Sequence, residues 1–130
     1  MSEYLKMYIT TLIVFLVIDS IWLGYVARDL YQKHIGFIMK KNFNLTAAGL
    51  FYLVFVIGLV YFVINPATSW QQALYAGLFF GFITYSTYDM TNLATLEDWP
   101  LVLTIIDISW GTFLCGLTSL VSYVILHVFM

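Results

Sequence analysis

Hydrophobic positions in this chain fall in four long runs, not in the short alternations of strands or the one-sided stripes of soluble helices. The runs lie at about 7–27, 45–64, 72–92 and 100–128. Each is close to the roughly 20 residues that an α-helix needs to cross a hydrocarbon core. They predict an all-α protein, a transmembrane four-helix bundle forming a single integral membrane domain over 1–130. Polar breaks separate the runs: a basic stretch at 28–44, a tight Asn65-Pro66-Ala67-Thr68-Ser69 turn, and a connection from Asn92 to Pro100. Pro100 suits the first turn of the fourth helix, where a missing N–H costs nothing.

Charge distribution sets the expected topology. Arg28, Lys33, Lys40 and Lys41 are four of the five Lys and Arg residues, and all lie between the first two runs. The positive-inside rule places that loop in the cytoplasm. With four spans, the N- and C-termini are then both on the outer side. Leu30, Tyr31, Phe37 and Ile38 interleave with the charges as in a short interfacial helix, although Gly36 weakens it. The first run is too long for a signal-peptide core and no small-residue cleavage site follows it, so it is expected to be a mature span.

Composition agrees. The chain is 62% hydrophobic and 9% charged, whereas soluble domains are about half apolar and a quarter charged. A formal net charge of −2 and the absence of a dense basic run argue against nucleic acid as a partner. The expected partner is the lipid bilayer. Cys115 stands alone, which excludes an intrachain disulfide framework and paired zinc spacings.

Candidate chemistry comes from three acids inside the runs. Asp19 lies nine residues before Arg28, Asp89 eight before Glu97 and Asp107 nine after Asp98. At a helical rise of about 1.5 Å per residue, each sits roughly 12–14 Å from the charged side of the membrane. The spans alternate in direction, so the three acids share a depth, and Tyr52 falls in the same layer. Intramembrane carboxylates are costly and tend to mark functional interiors.

Helical faces carry the same message. Gly77, Gly81, Tyr85 and Asp89 recur every four residues, and Asp107, Gly111, Cys115, Thr118 and Ser122 follow similar spacing. Small residues permit close helix approach, so both acids are expected to face other helices. No Lys or Arg within a span neutralises them. Burial and mutual repulsion disfavour the ionised form, and at least one is expected to carry a proton at neutral pH. Tyr85, Tyr88 and Asn92 could hydrogen-bond to them. Trp22 and Trp110, each within a turn of an acid, could wall a cavity or offer a cation–π surface. His34 and His127 are expected on opposite membrane faces, too far apart for a shared metal site or for Ser-His-Asp catalysis.

The stretch Tyr88-Asp89-Met90-Thr91-Asn92-Leu93-Ala94-Thr95-Leu96, followed by Trp99-Pro100 and Asp107-Ile108-Ser109-Trp110-Gly111, resembles a bacterial family of small predicted membrane proteins of unknown function. The resemblance covers essentially the whole chain. It implies a four-span protein of the bacterial inner membrane and brings no activity, cofactor or catalytic residue with it.

Three functional readings follow. The first is binding or translocation of a small polar or cationic ligand or protons at Asp19, Asp89 and Asp107, with Tyr85, Tyr88, Asn92, Trp22 and Trp110 around them. An ion held by oxygen ligands belongs to this reading. The second is a membrane-embedded enzyme acting on a lipid, which requires an opening from the acid layer to the bilayer wide enough for an acyl chain. The third is a structural or assembly subunit whose acids are satisfied hydrogen-bond partners. So small a bundle leaves little room for a pathway within one copy, which admits a homodimer without requiring it.

Overall fold

A computed structural model describes residues 2–40 and 44–129. Lys41, counted above among the loop's positive charges, lies outside the described residues. The chain is all-helical. Helix α1 runs Glu3–Trp22, passes through a π-helical turn at Leu23–Ala27 and continues as α2, Arg28–Ile35, ending in a 3-10 turn at Gly36–Ile38. Helix α3, Leu45–Leu59, likewise ends in a π-helical turn, Val60–Ile64. Helix α4 spans Trp70–Thr95, and α5 spans Leu101–Val124 with a last π-helical turn at Ile125–Phe129.

Local chemistry explains where these helices begin. Ser2, Asn44 and Ser69 sit in extended conformation and accept hydrogen bonds from the backbone N–H of Leu5, Ala47 and Gln72, at 3.2, 3.0 and 3.1 Å. Each satisfies an N–H that the first helical turn leaves unpaired. Pro100 caps α5 from just outside the helix.

The segment from Arg28, expected as a loop that admits a short interfacial helix, is helical as far as Ile38. Its charges conceal a buried stripe at four-residue spacing: Ala27, half-buried Tyr31 and Ile35. Ile35 packs with Trp99 and Leu103, and Tyr31 and Leu30 lie against that cluster. Burial of this stripe outweighs the polar composition of the exposed side.

Three helical stretches are long and apolar enough to cross a membrane: Glu3–Ile38, Leu45–Ile64 and Leu101–Phe129. Helix α4 has the length, 26 residues, but its second half carries Thr84, Ser86, Thr87, Asp89, Thr91 and Asn92. It is instead the helix most closely packed against another, with α5. Glycines make that seam. A Cβ on Gly77 would stand 2.7 Å from the Cys115 carbonyl oxygen, and one on Gly81 would strike the Gly111 carbonyl. Gly111 in turn leaves the space filled by the Tyr85 ring.

Two apolar clusters frame the interior. One joins Phe15, Phe55, Val56, Leu59, Val60, Val63, Ile64, Leu114 and Cys115. The other is the smaller Ile35–Trp99–Leu103 group at the basic end. The outside is apolar as well: Ile9, Ile13, Val54, Phe62, Phe79 and Ile105 are all exposed. An apolar exterior around an interior with polar groups is what a lipid solvent selects.

Candidate functional site: a buried acid layer with a lateral groove

Between the two apolar clusters lies a polar layer to which every helix contributes. On α1, Asp19 is buried and held by two donors. The Tyr52 hydroxyl of α3 donates to Oδ2 at 2.7 Å, and the Trp110 indole N–H of α5 donates to Oδ1 at 3.2 Å. The antiparallel register of α1 and α5 brings Trp22 onto Trp110, with ring centroids 4.4 Å apart and planes within 8° of parallel. Asp19 therefore belongs to a set of groups that fix one another's rotamers.

Asp107 on α5 is also buried, and the Tyr31 hydroxyl of α2 donates to its Oδ1. Asp89 differs from both. It is 0% exposed, and neither of its oxygens meets an N–H or O–H donor. Its neighbour is the Asp107 carboxyl, near enough for one carboxyl to hydrogen-bond the other when a proton sits between them. The glycine seam of α4 and α5 enforces this juxtaposition, since it sets the spacing of the two helices that carry the acids.

Two cavities meet at this layer. A polar chamber of about 220 Å³ is lined by Asp19, Asp107, Tyr31, Tyr52, Trp22 and Trp110, with Leu23, Tyr85 and Tyr88 completing its wall. At roughly 30 Å³ per water molecule, it has room for a head group of a few heavy atoms. A larger groove of about 560 Å³ is lined by Phe51, Phe55, Thr84, Tyr85, Thr87, Tyr88 and Asp107. Here α3 meets α4 most closely at the Val60–Ile64 turn, and Phe55 reaches across to Phe80 and Tyr85. Toward the basic end the two helices part, and Phe51, Thr87 and Tyr88 are exposed at the rim. Its size is within the roughly 300–1,000 Å³ of small-molecule sites. Tyr85, Tyr88 and Asp107 border both spaces.

Of the residues singled out in the sequence, Asp19, Asp107, Tyr85, Tyr88, Trp22 and Trp110 line the chamber. Asp89 stands behind Asp107 without lining it. Asn92 lies one turn beyond Tyr88 and borders neither cavity; its carbonyl accepts from Leu96 N–H at the end of α4. Tyr31 was expected in a short interfacial helix and not at the acids. The signal was the four-residue repeat of Ala27, Tyr31 and Ile35. Among the described residues, no three His, Cys, Asp or Glu side chains come together to hold a metal ion.

A helical membrane protein with a buried acidic and aromatic interior is the class that this fold defines. Comparison with known families adds the particular one. Residues 4–124 match the family described as a predicted membrane protein (DUF2177), and the chain belongs to it. No curated protein and no solved structure matches the chain.

Proposed function

We propose that this protein binds an amphiphile within the bilayer, its polar head in the acid chamber and its apolar chain in the groove between α3 and α4. The observation that carries this reading is the wall shared by the two cavities, formed by Tyr85, Tyr88 and Asp107. A ligand entering sideways from the membrane reaches buried hydrogen-bonding groups without first crossing water. Binding in such a site draws on apolar burial along the groove and on a few placed polar groups for orientation.

The experiment is native mass spectrometry of the purified protein in mild detergent, wild type beside Thr84→Trp. Thr84 lines the groove, so an indole there fills it from the open side. The expected result is a co-purifying amphiphile on the wild type and its loss from the variant. A folded wild type that carries none, or a variant that retains it, overturns the proposal. The same opening is what a lipid-modifying enzyme would need. Incubation with the recovered amphiphile separates the two: an unchanged molecule points to binding or carriage, an altered head group to chemistry.

The proposal extends to topology. Four membrane crossings, with α4 as the least apolar span, place both termini outside and the Arg28–Lys40 segment in the cytoplasm of the bacterial inner membrane. Single cysteines introduced at Ser2 and at Lys40 in a Cys115→Ala background test it. Only the Ser2 position is expected to react with an impermeant thiol reagent in intact cells.

A further inference from the structure

The chamber's composition suggests which head group it takes. Asp19 and Asp107 present two carboxyls to one space of about 220 Å³. Among the described residues the one ion pair is Lys6 with Glu3, so no protein cation answers these acids. The rest of the wall is aromatic: the stacked Trp22 and Trp110, with Tyr31, Tyr52, Tyr85 and Tyr88. Aromatic faces attract cations through their quadrupole, and more strongly when water is excluded. Behind the chamber, Asp89 is fully buried with both oxygens unpartnered and directed at Asp107.

We infer that the acid chamber recognises an organic cation, an ammonium head group attached to the apolar chain that occupies the groove. This rests on the amphiphile reading above and names its head-group class. Asp107 and Asp19 supply the counter-charge, and the Trp22–Trp110 pair with the surrounding tyrosines supplies the aromatic faces. A neutral head group would bring the carboxyls no counter-charge, and an anionic one would be repelled by them.

The groups that bear on the charge of the site come from every helix: Asp19 from α1, Tyr31 from α2, Tyr52 from α3, Tyr85, Tyr88 and Asp89 from α4, and Asp107 from α5. A quaternary ammonium is the right probe, because its own charge does not titrate.

The test titrates the full-length protein in maltoside micelles with decyltrimethylammonium, decanol and decanoate, followed by tryptophan fluorescence. Three chains of equal length isolate the head group. Wild type is expected to prefer the ammonium over the alcohol by at least roughly tenfold, about 1.4 kcal/mol, with decanoate weakest. Asp107→Asn and Asp19→Asn are each expected to remove most of that preference, and thermal unfolding checks that they remain folded. Should either variant fail to fold, the wild-type comparison decides by itself. Equal binding of the three probes that Thr84→Trp abolishes would overturn the cation assignment and leave the groove standing. No binding of any probe would overturn both. Stronger binding of decanoate would overturn the assignment directly.

Discussion

The seam between α4 and α5 offers the most direct test of the architecture, through Gly81→Ala. A Cβ at that position falls on the Gly111 carbonyl and 2.8 Å from the Cys115 Cβ. Neither obstacle is the end of a flexible side chain, so relief requires the helices to separate. Separation also disturbs the neighbouring contacts of Gly77 with Cys115 and Ser119. Overpacking of this kind costs about 1–3 kcal/mol, and a backbone obstacle puts it near the upper end. Better helix propensity returns about 1 kcal/mol, leaving a net loss of about 2. Gly49→Ala is the internal control: nothing lies within 4 Å of its added Cβ, so it should gain up to about 1 kcal/mol. The two alanine variants should then differ by about 3 kcal/mol in equilibrium unfolding in mixed micelles. Equal stabilities, within about 1 kcal/mol, would refute the seam as described. A folded Gly81→Ala protein should also bind the groove ligand less well, because moving α5 from α4 draws Asp107 away from Asp89.

Further expectations can be checked by the same unfolding assay. Tyr52→Phe removes one of the two donors to Asp19 and should cost about 1–3 kcal/mol. Asp89→Asn should hold or raise stability by about 1 kcal/mol, since an amide can donate to the Asp107 carboxyl that Asp89 faces; a loss above about 2 kcal/mol would mean that Asp89 has a partner of its own. Thr118→Val replaces a fully buried hydroxyl that has no hydrogen-bond partner by a methyl of similar size, and should be neutral or stabilising by about 1 kcal/mol. Asp98, at φ 60°, holds the left-handed turn before Trp99; Asp98→Gly should be tolerated and Asp98→Val should cost about 1–2 kcal/mol.

What could be read in the sequence depended on whether the cause was local. The glycines and acids of α4 and α5 repeat at helical spacing, and the structure places Gly77, Gly81 and Gly111 in one seam, with Asp89 against Asp107. Tyr52 was placed at the depth of Asp19, and its hydroxyl bonds to that carboxylate. The α2 segment was harder, because Arg28, Lys33 and His34 dominate its composition while its helicity rests on Ala27 and Ile35 being covered by other helices. Asn92 was grouped with the acids by proximity in sequence. Three residues past Asp89 it keeps to the same side of α4, but it lies a turn beyond the cavities and lines neither. The groove had no signature at all, since it arises from the angle between α3 and α4, and no residue pattern in either helix encodes that angle.

The three acids are not equivalent, and their differences bear on why they are kept. A carboxylate retained for structure should have its donors, because an unpaired buried carboxyl costs more than an apolar side chain of similar size. Asp19 meets that standard, with Tyr52 and Trp110 each donating to one oxygen. Asp107 meets it in part through Tyr31, and Asp89 not at all. Satisfaction therefore declines from α1 toward the α4–α5 seam, next to which the groove opens. A purely structural acid layer would place its best-satisfied group at the most buried position, and here that position belongs to the least satisfied one. The protein's own donors hold Asp19 in place. Asp89 and Asp107 are better explained by a charge that arrives from outside the protein, along the one side where α3 and α4 part.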